Sequence, residues 1–261
     1  MSHHVIIQGK LRHLGGWKPD RPDHPTLELP AGVSLAPIPA KADVLAGLPS
    51  VKDQGNIGSC TAHASTSAME YLETHAKRPE VDLSRLFVYY ASRVWVEGDD
   101  PLDDAGAAIR DVMKAVRLYG ACLETLWPYE PAHFSFAPPR TCQHEALGHV
   151  ITANYRCPNL ASIKQSIADG FPVVIGFSVP QSMMTDEVAR TGVVPYPGPD
   201  EAFVGGHCIL LVGYDDATGL LRFRNSWSTG WGVGGDGFLP YRFVTDGLAT
   251  DAWTIRNEKG I

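Results

Sequence analysis

The sequence predicts an α+β fold of two lobes with a cleft between them. Three observations carry this. Helical spacing dominates the first half of the chain, and strand-like apolar runs separated by glycine turns dominate the second. The chain has 261 residues, 44% of them hydrophobic, enough for one large domain or two small ones that share a cleft. The expected boundaries are an N-terminal arm over 1–45, a mainly helical lobe over 46–150 and a mainly β lobe over 151–261.

The arm is set apart by proline, which recurs at 19, 22, 25, 30, 37 and 39. "LGGWKPDRPDHP" (14–25) has neither helical nor strand periodicity and reads as an extended, polyproline-like segment. Trp17, Leu27 and Leu29 give it something to bury, so a docked arm is expected beside the plain alternative of a disordered tail.

The first helix opens at Cys60, with Ala64, Ala68, Tyr71, Leu72 and His75 at three-to-four spacing, and Pro79 ends it. A second helix fits 84–95 with Ser84 or Asp82 as its cap. A third fits 107–120, with Gly120 just past its end. Residues 132–149 read as a Pro- and His-rich loop, and 160–170 as a short helix stopped by Gly170. Strands are expected at 172–179, 207–215, 220–227 and 235–241.

Net charge is −7 with no block of Lys or Arg, which argues against nucleic acid or anionic membrane as the main partner. The longest apolar runs, 171–180 and 208–213, fall short of the roughly 18–20 residues that span a bilayer. The N-terminus lacks an apolar stretch after a basic start, so no signal peptide is expected. The cytoplasm is then the default compartment, although a chain starting after a removed signal would read the same. Cys60, Cys122, Cys142, Cys157 and Cys208 make an odd count, so at least one is unpaired or pairs between chains. Cys142 with His144, near His133 and His149, comes nearest to a metal pair, but no second ligand pair follows, and no metal or other cofactor is expected.

A thiol at a helix N-terminus gains from the helix dipole, and an adjacent imidazole favours thiolate further. Cys60 follows a Gly-Ser turn in "QGNIGSCTAHAS" (54–65) and fits that position, although a free Cys is most often a small buried hydrophobe. His207 in "VGGHCILLVGYD" stands at the start of an apolar strand and suits a site rim. Asn225 can accept from one imidazole nitrogen and leave the other to the thiol, with Trp227 shielding that bond from water. Gln54 adds a side-chain N–H that, with the Cys60 backbone N–H, suits an oxyanion. Nucleophile, base and orienter together point to covalent acyl transfer.

"VKDQGNIGSCTAHAS" (51–65), "GGHCILLVGYD" (205–215) and "RNSWSTGWGVGGDGF" (224–238) closely resemble the Cys, His and Asn segments of papain-like cysteine peptidases, the bacterial branch above all. "DLSRLFVYYASR" (82–93), "VRLYGACLETLWPYEP" (116–131) and "ASIKQSIADGFPVVIGFSV" (161–179) follow in the family's order, so the resemblance covers about 45–255. That family spaces His and Asn about 130–150 residues after the Cys. Here the intervals are 147 and 165, the second slightly beyond that range.

The resemblance implies a papain-like fold, a helical lobe beside an antiparallel β-barrel-like lobe. It implies hydrolysis of peptide or protein substrates by Cys60, His207, Asn225 and Gln54. It further implies that Gly106 in "DDAGAAI" (103–109) contacts the substrate backbone. Ala108, Gly176 and Gly205 line a roomy apolar pocket for the residue two before the cleaved bond, and Trp227 completes the binding set. Two departures stand out. Where many relatives have a disulfide-forming Cys and a Trp around the nucleophile, this chain has Ile57 and Thr61, so that disulfide is missing and Ile57 packing has to replace it. Gly206 also replaces the residue before the histidine, often Asp or Asn. His63, on the Cys60 helix, is a rival base read as packing.

The resemblance brings with it a long helical propeptide, which the arm is expected not to supply, being too short and too Pro-rich to match it. The arm is expected either to lie across the cleft as an intramolecular inhibitor, making the chain a zymogen, or to serve as a strut. An endopeptidase is expected over an exopeptidase, since no insert caps the cleft. The alternatives are a latent papain-like binding module and a thiol-dependent transferase or amidase.

Overall fold

The structure, a computed structural model, describes residues 3–21, 28 and 37–256. The chain opens with an antiparallel hairpin, β1 (His3–Ile7) and β2 (Lys10–Leu14), whose turn places Gln8 and Gly9 at φ of 50° and 72°. A two-residue strand, β3 (Trp17–Lys18), follows. The arm is therefore strand-like over 3–18, where a polyproline-like segment was expected around Trp17. Leu27 and Leu29 lie outside the described residues.

After β4 (Lys41–Asp43) the helical lobe begins with α1 (Cys60–His75), nearly all of whose residues are buried. Small residues on every side of it (Ala62, Ala64, Ser65, Ser67, Ala68) let neighbouring elements approach closely. The helix stops at His75, before the expected Pro79, where Lys77 takes a left-handed φ of 56°. α2 (Arg85–Tyr90) is capped by Ser84, whose Oγ accepts from Phe87 N–H at 3.1 Å, and it runs on as a π-helix over Ala91–Glu97. The helix expected over 107–120 begins only at Ile109: residues Ala107–Ala108 form β5, and α3 spans Ile109–Leu118. The stretch read as loop holds α4 (Arg140–Ala146), which follows Pro139 directly.

The second lobe is one antiparallel sheet. β6 (Ala153–Arg156) and α5 (Leu160–Ala168) lead into β7 (Val173–Pro180), then α6 (Asp186–Thr191) and the 13-residue β8 (Phe203–Asp215). β9 (Leu220–Arg224), β10 (Asp236–Pro240), α7 (Arg242–Thr245) and β11 (Ala249–Arg256) complete it. The strand order is β10-β9-β8-β7-β11-β6, with β4 pairing the far end of β8. β7 and β8 register Phe177 against His207 and Gly176 against Cys208, so the base sits well inside a strand and not at its start.

The arm closes the space between the lobes. β3 pairs in parallel with β5 of the helical lobe, Trp17 against Ala107 and Lys18 against Ala108. One step earlier, Gly15 N–H donates to the Gly206 carbonyl of β8 at 2.9 Å.

Candidate active site

Cys60 is the first residue of α1 and is 1% exposed. Its N-cap, Ser59, makes no side-chain cap, because Ser59 Oγ instead meets Tyr129 Oη at 2.5 Å. The first-turn N–H groups are thus left without a side-chain acceptor from the cap. Ahead of the helix, segment 52–54 pairs with 226–228: Gln54 N–H donates to the Ser226 carbonyl at 2.9 Å and Ser228 N–H to the Lys52 carbonyl at 3.0 Å. This pairing joins the Gln54 loop to the Asn225 loop across the lobes.

His207 is fully buried, so the expected rim position is not what the fold gives it. Its Nε2 lies 2.9 Å from Asn225 Oδ1. The same Oδ1 accepts from Ser226 N–H at 2.8 Å, and a backbone amide can only donate. Oδ1 therefore faces the ring, Nε2 carries the proton, and Nδ1 keeps its lone pair. Nδ1 has no hydrogen-bond partner among the described residues. The Trp227 ring stacks on the imidazole, centroids 4.7 Å apart at 27°, and covers the bond to Asn225. Gln54 is held at both ends of its amide: Nε2 donates to the Ile57 carbonyl at 3.1 Å, and Oε1 accepts from Ser226 Oγ at 2.6 Å. One hydrogen of the amide nitrogen remains for another acceptor.

The arm covers this constellation. A Cβ built on Gly16 would lie 2.8 Å from Cys60 Sγ and would overlap the Gly58 carbonyl, so only glycine passes here. Trp17, 8% exposed, fills the neighbouring pocket: a methyl group on Gly176 would overlap its indole, and one on Gly206 would come within 2.8 Å. Gly205, expected in that pocket, meets Leu14 instead. Ala108 lies in β5 beside Lys18 and donates its N–H to Glu97 Oε1 at 2.8 Å. Gly106, at φ 73°, lets the arm backbone approach, yet its own N–H is given to Tyr89 Oη at 3.3 Å. The bond to the arm comes from Ala107 N–H, which donates to the Gly16 carbonyl at 3.0 Å.

The family model for papain family cysteine proteases matches residues 38–247, most of the chain. The chain belongs to the papain family of cysteine proteases. It is similar to xylellain, a cysteine protease from Xylella fastidiosa, with a TM-score of 0.88 at 33% identity, covering 98% of this chain and all of that one. An uncharacterized peptidase C1-like protein of Acanthamoeba polyphaga mimivirus is 35% identical over 78% of this chain and 68% of its own. The fold also matches digestive procathepsin L 3 of Tenebrio molitor, with a TM-score of 0.67 at 23% identity, over 88% of this chain and 74% of that one.

In this papain-family peptidase burial disfavours the charged forms of both the thiol and the imidazole. Burial pushes the Cys60 thiol up to about 12, against the N–H groups of Cys208, Thr61 and Cys60 itself, which pull it down; the Asp104 carboxylate adds to the rise. Burial likewise lowers His207 to about 4, partly offset by its bond to Asn225. His63 is buried against Tyr129 and lowered to about 3, and its Nδ1 lies 3.0 Å from the Ser59 carbonyl. Its ring packs edge-on against Tyr129. All five cysteines are free thiols. Cys142 Sγ donates to the Leu126 carbonyl at 3.5 Å, and His133 stacks on Phe136.

Sequence reasoning passed over Ser226, which orients both Gln54 and Asn225, and Tyr129, whose Oη donates to the Gln54 carbonyl at 2.8 Å. Both lay inside quoted motifs; their partners are 172 and 75 residues away, so spacing carries no signal for them.

Proposed function

We propose that the chain is a cysteine endopeptidase held latent by its own N-terminal arm. The observation that carries this reading is the path of the arm. It passes through the cleft as the interior of a chain, entering where Gln8 Nε2 donates to the Gly230 carbonyl at 3.2 Å and Arg12 Nη2 to the Trp227 carbonyl at 3.0 Å. It crosses Cys60 at Gly16 and leaves where Lys18 Nζ meets Glu97 and Asp99, each at 2.7 Å. A cleft that holds polypeptide on both sides of the thiol suits cleavage within a chain.

In this reading the arm moves aside and substrate takes its place. His207 Nδ1 takes the thiol proton, and the Cys60 thiolate so formed attacks the scissile carbonyl. The oxyanion is received by the free hydrogen of the Gln54 amide and by the Cys60 N–H. The imidazolium, oriented by Asn225, gives its proton to the leaving amine, and an acyl-enzyme forms. Water, deprotonated by His207, then releases the acid. Peptides or proteins with a bulky aromatic residue in the Gly176–Gly206 pocket are the substrates that fit the volume Trp17 fills. In this reading the arm resists attack with its Gly16 carbonyl already engaged by Ala107 N–H.

The test is a library of peptides blocked at both termini, offered to the wild type, Trp17→Ala and Cys60→Ala. Burying a large aromatic is worth about 3–5 kcal/mol against alanine. Trp17→Ala should therefore raise internal cleavage at least about tenfold over wild type, and Cys60→Ala should abolish it. Equal rates for wild type and Trp17→Ala would refute the latency, and no cleavage of the blocked peptides, with trimming of the same peptides left unblocked, would refute the endopeptidase.

A further inference from the structure

The turn ahead of Cys60 carries Ile57 where relatives place a disulfide-forming cysteine, and apolar packing of Ile57 (6% exposed) is only part of what holds it. Gly58 N–H donates to both oxygens of Asp104, at 3.0 and 3.1 Å. Tyr89 Oη donates to Asp104 Oδ1 in a short hydrogen bond and accepts from Gly106 N–H at 3.3 Å. Burial and the adjacent carboxylate keep the Tyr89 phenol well above its ordinary value, so it stays a donor. The Arg93 guanidinium lies 4.3 Å over the Tyr89 ring and bonds the Asp103 and Phe134 carbonyls, which fixes the network from behind. A Cβ on Gly58 would crowd Tyr89 Oη at 3.1 Å and Asp104 Oδ1 at 3.2 Å.

The Ile57–Gly58 peptide is one rigid plane. Its carbonyl accepts from Gln54 Nε2 at 3.1 Å, and its N–H is the one bound by Asp104. Gln54 and Asp104 thus grip opposite ends of the same peptide unit. If Asp104 lets go, the Gly58 end of the plane is free to tilt about the Ile57 carbonyl, which Ser59 N–H still holds at 2.9 Å, and the bond that aims the Gln54 amide is weakened.

We propose that Asp104 is a positioning residue for the peptidase reaction: it clamps the Ile57–Gly58 peptide, and through it the Gln54 amide, to the Gly106 loop on which substrate lies. The clamp takes the place of a covalent tether and works in a chain whose thiols are all free. This rests on the Gln54 role assigned under Proposed function.

The test uses the full chain carrying Trp17→Ala to open the cleft, with Asp104→Ala, Asp104→Asn and Gln54→Ala added singly and Asp104→Ala with Gln54→Ala together. Donors to an oxyanion act on the transition state, so kcat should fall about tenfold or more in Asp104→Ala while KM stays within about twofold. Asp104→Asn, whose amide oxygen still accepts from Gly58 N–H, should recover most of that loss. The double variant should be no slower than Gln54→Ala alone, because both changes disable one device. Additive losses, or a loss that Asp104→Asn shares in full, would mean Asp104 only supports folding and would overturn the proposal. Hydrogen exchange at the Gly58 amide reads the clamp without turnover: protection should drop in Asp104→Ala, and unchanged protection overturns the clamp. A parent with no turnover but with Gly58 deprotected by Asp104→Ala would instead count against the peptidase chemistry, leaving the clamp intact.

Discussion

The Trp227 indole stacks on the His207 imidazole, with 4.7 Å between centroids, and meets Trp231 edge-on at 5.4 Å. Both tryptophans are 1% exposed, and His207 and Asn225 are buried with them, so water is kept from the His207–Asn225 bond. Water that reached Asn225 Oδ1 would compete for the Nε2 proton and loosen the ring. Trp227→Ala, in the Trp17→Ala background, should lower kcat between about tenfold and about 100-fold, because general acid–base catalysis depends on that orientation. Steady-state kinetics on a blocked peptide checks this; an unchanged kcat would show that Asn225 holds the ring unaided.

The pH dependence of arm docking follows from two groups that oppose each other. Burial, with the Arg12 guanidinium of the arm and against the bond to Asn225, lowers His207 from 6.5 to about 4 in the docked form. As pH falls through 6.5, the released form takes a proton that the docked form refuses, so docking weakens. Asp20, on the arm, behaves the other way: burial, with Asp251 nearby, raises it from 3.8 to about 6, although Arg110 N–H, Trp253 Nε1–H and Arg156 pull it down. As pH falls through 6 the docked form holds a proton that the released form lacks, so docking strengthens. The two shifts are similar in size, so docking should change little between pH 6.5 and 4. Asp20→Asn removes one side of the balance and should make acid release visible. Acrylamide quenching of tryptophan fluorescence, with Trp17→Phe as the blank, reads the exposure of Trp17 across this range. Equal pH profiles for wild type and Asp20→Asn would remove Asp20 from the account.

Gly176 gives the pocket its depth, because a methyl group there would overlap the Trp17 ring. Gly176→Ala should therefore act in two directions. It should expel the arm and raise the basal rate on peptides with a small residue two before the cleaved bond. It should also lower kcat/KM about tenfold or more for peptides with Phe or Trp there, since overpacking by one methyl group costs about 1–3 kcal/mol. Paired peptides that differ only at this residue provide the measurement, and a parallel change in both would show that Gly176 does not set selectivity.

The parts legible in the sequence were those written in local patterns. The helix beginning at Cys60, its Gly-Ser turn, the Ser84 cap and the glycine-separated strands 172–179 and 207–215 all rest on residues within a few positions of one another. The rest depends on long-range pairing. β3 and β5 have two residues each and exist only because they lie side by side, 90 positions apart in sequence. β11 was passed over because a register shift between Thr250 and Trp253, with Asp251 at φ 55°, breaks its alternation. The Asp103–Asp104 doublet was quoted within the Gly106 loop, yet nothing local distinguishes a carboxylate that receives Gly58 N–H from one that faces water.

The parallel pairing of Trp17 with Ala107 makes the arm a ligand that never diffuses away. A tethered occupant competes at an effective concentration in the millimolar range, so an incoming peptide must bind in its place rather than into an empty groove. In the latency proposed above, the apparent Kd is then the intrinsic Kd divided by the fraction of molecules whose arm is off, equally for every peptide. Peptides that hold the cleft poorly are thereby kept below the concentration at which they would be turned over. Short strand β3, in that latency, thus raises the concentration every peptide needs for turnover by one common factor.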